Sequence, residues 1–157
     1  MAKAKPSRKF KYGLHAVLKV RGIKEKKEQE KFAEKHRSYL TEKEKEDEIV
    51  SNKRTKEDEL RGVFKGGRID DFTQVLRRKD HLGVLKEDLD QQVEKVIDAS
   101  QKLEEQRVHL IQAMKDKKIM EKDKEHKLKQ YKDMMEKLEI KFMDEIATQR
   151  FSRRKKD

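Results

Sequence analysis

The sequence predicts an all-α fold, a long antiparallel two-helix coiled coil (an αα-hairpin) in which the second helix is the longer. Three observations predict it. Of 157 residues, 48% are charged and only 32% hydrophobic, whereas a layered globular domain fills its core with about 45–50% apolar residues. Opposite charges are interleaved along a chain rich in Glu, Lys, Gln and Leu with one proline, a composition that favours long solvated helices. Apolar residues recur at alternating four- and three-residue spacing on both sides of the glycine pair Gly66-Gly67, the period of a helical seam.

The elements follow in order. Residues 1–11 form a basic tail punctuated by Pro6. Helix 1 is expected over 12–64, with a seam through Leu14, Leu18, Arg21, Glu25, Glu28, Phe32, Lys35, Tyr39, Glu42, Glu46, Ile49, Lys53, Lys56, Leu60 and Val63. Seven of these fifteen are apolar, so its partner contacts are intermittent and disorder competes with helix in the middle of the first half. A turn over 65–71 follows, because Gly66-Gly67 breaks the helix. Asp70 or Asp71 suits the next N-cap, and Asp71 with Gln74 resembles a capping box.

Helix 2 is expected over 72–151. Its seam reads Phe72, Val75, Lys79, Leu82, Lys86, Leu89, Val93, Val96, Ser100, Leu103, Arg107, Leu110, Met114, Lys117, Glu121, Lys124, Leu128, Tyr131, Met135, Leu138, Phe142 and Glu145, with fourteen of twenty-two apolar. Gly83 inside it costs only about 1 kcal/mol relative to Ala. A basic tail, 152–157, completes a single elongated domain. At 1.5 Å per residue the helices are roughly 75–80 Å and 115–120 Å long. One short connection between two such helices makes them antiparallel. Residue n then faces roughly 133 − n, which sets Leu14 near Ile119 and leaves residues beyond about 125 overhanging. Their stripe, Leu128, Tyr131, Met134, Met135, Leu138, Phe142, Ile146 and Phe151, reads as an association surface unless the N-terminal segment or a second copy covers it.

The net charge of +11 sits at the two ends. Residues 1–24 hold eight Lys/Arg and no acid, residues 148–157 hold five against Asp157, and the 123 residues between them total −1. Solubilising tails are one reading and an acidic partner the other. No catalytic site is legible. His15, His36, His81, His109 and His126 lack the spacing of a helical metal site, so they read as surface or seam residues. The glycine pair belongs to no phosphate-cradling motif, and a two-helix hairpin offers no water-excluding pocket. The chain is therefore expected not to be an enzyme and to use no cofactor, metal or small-molecule substrate. Absence of cysteine removes disulfide and thiolate chemistry and fits a reducing compartment. With no run near the ~20 apolar residues of a membrane span and no signal-peptide stretch, a cytoplasmic location is the default.

At its two termini the sequence resembles the flagellar export protein FliJ family. In "FKYGLHAVLKVRGIKEKKEQEKFAE", Phe10, Tyr12, Leu14, Val17, Leu18, Arg21 and Glu25 match the family's opening pattern, and Asp144 to Phe151, "DEIATQRF", is similar to its ending. The resemblance implies a non-enzymatic central stalk of the flagellar type III export apparatus, similar in architecture to the γ subunit of rotary ATP synthases. It implies that the end carrying both termini enters the ring of the export ATPase hexamer, that the far end reaches the cytoplasmic domain of the export-gate membrane protein, and that export chaperones are partners. It also implies a peripheral position at the cytoplasmic face of the inner membrane. On that reading Arg21, Arg150, Arg153 and Arg154 contact acidic groups of the ATPase, and Phe10, Ile146 and Phe151 fix axial depth. Ile49, Val50, Phe72, Val75 and Leu76 are candidates for the gate contact, with ordinary seam packing as the competing role. The sequence departs from the family in its strongly basic segment 1–11 and in Phe72-Thr73-Gln74, where many members have a tyrosine-glutamine stretch.

Three other readings stay open. The basic ends with their interleaved aromatics suit a nucleic-acid-binding coiled coil, although that signal is generic and nucleic acid is the weaker expectation. A scaffold or homodimer would use the overhanging stripe. The stalk of a virulence type III secretion ATPase shares the hairpin logic.

Overall fold

The computed structural model describes residues 9–66 and 71–154, with side chains through Phe151. The chain is all-α: helix α1 spans His15–Lys65 and the longer helix α2 spans Phe72–Arg154. The α1 helix starts three residues beyond the expected boundary because the Tyr12 carbonyl first accepts from the His15 amide, at 3.2 Å. Asp71 is the α2 N-cap, its Oδ1 accepting the Thr73 amide at 2.9 Å, which satisfies one of the four orphan donors of the first turn. The Gln74 arm of a capping box is not formed among the described residues. Gly67 and Asp70 lie outside the described residues.

The chain divides into two compact units, one containing residues through Glu25 with Ala113 onward, the other Lys26–Gln112. In each, an α1 segment and an α2 segment run antiparallel. In the second unit Glu28 meets Gln106 and Glu42 meets Gln92, so residue n faces 134 − n in both cases, and Arg78 meets Glu59. In the first unit Tyr12 meets Met120 and Asp123, and Arg21 meets Asp116.

Burial reveals which seam residues were read correctly. On α1, thirteen of the fifteen expected seam positions are half-buried; Leu14 and Lys35 are exposed. On α2, Val75, Leu82, Leu89, Val96, Leu103, Leu110, Lys117, Lys124 and Tyr131 face inward as expected. The alternate positions are corrected by one residue. Lys79, Lys86, Val93, Ser100, Arg107 and Met114 are exposed, and Arg78, Leu85, Gln92, Ala99, Gln106 and Ala113 take their places, followed by Met120 in place of the half-buried Glu121. Among the described residues few are buried: Tyr12, Val75, Leu85, Gln92, Ala113 and Met120, none of them within α1.

Helix α1 is therefore supported less by a core than by its own charges. Lys31 pairs with Glu28, Lys45 with Glu42, Lys43 with Glu46 and Lys56 with Glu59, all three residues apart and within 3.0 Å. Such pairs are worth about 0.2–0.5 kcal/mol each on an exposed helix. They accumulate along a helix whose seam is charged at eight of its fifteen positions.

Candidate partner-binding surfaces

The first unit is anchored by Tyr12, 8% exposed, in the residues just before α1. Its single hydroxyl proton is directed to Asp123 Oδ2 at 2.7 Å, with the Met120 carbonyl a longer second acceptor at 3.3 Å. Lys127 lies 5.6 Å from the ring centroid and pairs with Asp123 at 3.1 Å, so one ammonium serves both the π face and the carboxylate. Burial, then the Asp123 hydrogen bond, pushes the Tyr12 phenol up to about 12. The Tyr12 hydrogen bond, then that from Lys127, holds the Asp123 carboxyl below its ordinary range. Phe10 packs on Tyr131 with ring centroids 5.6 Å apart.

That contact corrects the overhang expected beyond residue 125. Chain preceding α1 continues the pairing: Leu128, Tyr131 and Met135 are half-buried, whereas Leu14 and Ile119, expected to face each other, are both exposed. Farther on, Met134, Leu138, Ile140, Phe142 and Met143 are exposed and Ile146 is half-buried.

Residues expected at an ATPase contact thus fall into three groups. Phe10 and Arg21 are engaged within the unit: half-buried Arg21 donates from Nη1 to the Asp116 carbonyl at 2.8 Å. Arg150 and Phe151 are exposed, and Ile146 is half-buried. The side chains of Arg153 and Arg154 lie outside the described residues. Among the residues expected at a gate contact, Val75 is 7% exposed and packs in the seam, and Ile49 is half-buried; Val50, Phe72 and Leu76 are exposed.

Sequence reasoning missed a polar pair of clamps in the second unit. Gln92 donates to the carbonyl and the carboxylate of Glu42, and Gln106 donates to the carboxylate of Glu28 at 2.6 Å with a longer 3.4 Å bond to its carbonyl. Lys45 and Gln92 lower the Glu42 pKa, and Lys31 and Gln106 lower that of Glu28. Nothing in these groups resembles an activated nucleophile. The wider groove of this unit, lined by residues including Lys35, Glu42, Lys95 and Lys102, is open and charged. Among the described residues no cluster of three metal-ligating side chains occurs, and no helix is long and apolar enough to cross a membrane.

Two solvated helices, joined by a seam that mixes apolar, glutamine and charged side chains and exposing further apolar and basic ones, define a helical-hairpin protein suited to working through contacts. A family model described as flagellar FliJ protein matches residues 10–156, nearly the whole chain, and the chain belongs to the FliJ family. Membership gives it a role in flagellar protein export. No curated protein and no solved structure matches the chain.

Proposed function

We propose that the chain acts as a non-enzymatic central stalk of flagellar type III export, entering the ring of the export ATPase with the unit that contains both terminal segments. The observation that carries this reading, together with family membership, is the placement of charge. Eight Lys/Arg without an acid in 1–24 and five against one in 148–157 both belong to that unit, while the stretch between totals −1. A pore lined with acidic groups would hold such an end by charge-assisted hydrogen bonds. Arg150, Arg153 and Arg154 are the contact cations, and Ile146 and Phe151 set the depth. Phe10 and Arg21 act indirectly, by holding the start of the chain on α2. By binding some subunit conformations better than others, the stalk alters turnover of an enzyme whose chemistry it does not perform. At the other unit, Val50, Phe72 and Leu76 are the proposed export-gate contact, and export chaperones are further partners.

The test is the hydrolysis rate of the flagellar export ATPase with and without this protein at low and moderate salt. Stimulation should saturate near one chain per hexamer and disappear when residues 144–157 are removed. An unchanged rate alongside intact helicity overturns the proposal and favours self-association or nucleic-acid binding.

A further inference from the structure

We infer that the first three turns of α1 are a docking surface for an anionic lipid bilayer, with Ala16, Val20 and Ile23 entering the acyl edge and Lys19 and Lys24 at the phosphates. The inference does not rest on the ATPase reading and uses none of the residues assigned above to the ATPase or the gate. Of the eight cations in 1–24 it takes two.

In a solvated helix pair the outward side is expected to be polar, because water covers it. Leu18, Arg21 and Glu25 are half-buried and mark the inward side at the start of α1. Ala16, Val20 and Ile23, four and three residues apart, lie on the opposite side. All three are exposed, Val20 by 64% and Ile23 by 48%. Continued along α1, the same alternating spacing reaches Lys27, Glu30, Glu34, Arg37, Thr41 and Glu44, every one exposed and none apolar. The outward face is therefore apolar only at its start. Seam packing does not account for that stripe, since the seam lies on the other side of the helix.

The stripe has a basic rim. By helical periodicity Lys19 falls on one side of it and Lys24 on the other, with Val17, 41% exposed, beside Lys24. Neither lysine has an ion pair among the described residues. No acid precedes Glu25, whose carboxylate receives Lys117 at 2.7 Å. A short aliphatic strip between two lysines suits the headgroup boundary, where apolar side chains enter the acyl edge while the ammonium groups stay among phosphates. A nucleic-acid strand is a poorer fit, because the aromatics of this basic end are already engaged: Tyr12 is buried and bonded to Asp123, and Phe10 packs on Tyr131. An aliphatic strip offers bases nothing to stack on. The surface is also separate from the proposed ATPase contact. Arg21 meets Asp116, and Arg150 lies 34 residues farther along α2, roughly 50 Å away along the helix. With no membrane-crossing helix among the described residues, attachment here is peripheral.

The chain has no tryptophan, so one introduced tryptophan reports its own surroundings. The experiment is the fluorescence of the full chain carrying Val20→Trp, titrated with vesicles of phosphatidylcholine alone or containing about one-third phosphatidylglycerol, which hold no protein partner. A blue shift is expected only with the anionic vesicles. Thr41→Trp, which puts the reporter on the same face farther along, should not shift. A basic side chain near such a surface is worth roughly fivefold, so Lys19→Ala with Lys24→Ala, added to Val20→Trp, should weaken binding on the order of 25-fold. Arg77→Ala with Lys79→Ala removes the same charge elsewhere and should leave binding nearly intact. In the tryptophan-free chain, Val20→Ser with Ile23→Ser should reduce co-sedimentation with anionic vesicles several-fold at unchanged helicity. An equal shift for both reporters, equal loss in the two cation variants, or the same shift with neutral vesicles overturns the assignment. So does co-sedimentation without a shift in Val20→Trp, which would assign binding to the tails. Tighter binding to a single-stranded oligonucleotide that needs Lys19 and Lys24 overturns it as well.

Discussion

Gln92 on α2 reaches across to Glu42 on α1, donating at 2.9 Å to its main-chain carbonyl and at 2.7 Å to its carboxylate. Gln106 and Glu28 repeat the arrangement fourteen residues away on each helix. A glutamine in a seam costs burial energy, but a donor that must meet one particular carbonyl fixes which residues stand opposite, as a single polar seam residue does in coiled coils. The clamps are expected to set register in a helix pair whose apolar contacts are too sparse to do so.

Gln92→Ala should therefore destabilise by about 1–3 kcal/mol, since it removes two hydrogen bonds from a buried position. A double-mutant cycle with Glu42→Ala should give a coupling of about 0.5–3 kcal/mol in thermal melts followed by circular dichroism. Strict additivity would show that the bonds contribute nothing jointly.

Tyr12 and Asp123 predict stability limits at opposite ends of the pH scale. The phenol is raised from 10.0 to about 12 by burial and by Asp123, so its contribution is complete below pH 10 and lost as pH rises toward 12. Asp123 is lowered from 3.8, so its contribution is present above that value and lost as pH falls through the folded-state value. Glu28, Glu42 and Glu59 shift in the same direction and steepen the acid limb. Lys43, Lys102 and Lys117 are raised and add to the alkaline limb. Tyr12→Phe isolates the phenol. It should lower stability at neutral pH, and its difference from the parent protein should shrink between pH 10 and 12. A difference that stays constant over that window rules out the linkage.

The two helices, their order and the α1 seam were legible because spacing alone determines which side of a helix is shielded, even when the shielded residues are Glu and Lys. Alternate α2 positions were misread for a physical reason. Counting apolar residues prefers Val93 and Met114, yet Gln92 and Ala113 are the buried neighbours. A close approach of two helices selects small side chains, and a donor with carbonyl reach can replace apolar volume. Taking every seventh residue from Leu85, namely Gln92, Ala99, Gln106, Ala113 and Met120, reveals that pattern. Tyr12 was legible only as part of a family motif, since its partners lie 108 and 111 residues away.

Arg21 and Arg150 should respond differently to truncation. Arg21→Ala removes the bond to the Asp116 carbonyl and should lower stability by about 1 kcal/mol, with any effect on the ATPase following from that loss. Arg150→Ala at an exposed site should leave the melt within about 0.5 kcal/mol of the parent while weakening ATPase stimulation, more so when Arg154 is reversed to Glu. Parallel melts and hydrolysis rates separate the two roles; a stable Arg150→Ala/Arg154→Glu variant with full stimulation at every salt concentration would remove these cations from the contact.

Val75 and Leu76, adjacent on α2, offer the corresponding test at the other unit. Val75 is buried and Leu76 exposed, so one substitution probes packing and the other the surface. Val75→Ala deletes two buried methyl groups and should cost about 1–3 kcal/mol. Leu76→Ala combined with Phe72→Ala should change the melt less than Val75→Ala does, because Phe72 is 63% and Leu76 46% exposed. If the exposed flank contacts the export gate, the latter pair should abolish motility in swimming assays at normal protein levels. Val75→Ala should reduce motility only in proportion to lost folded protein. Motility that tracks stability in both variants would assign the whole segment to hairpin packing and leave the gate contact to other residues.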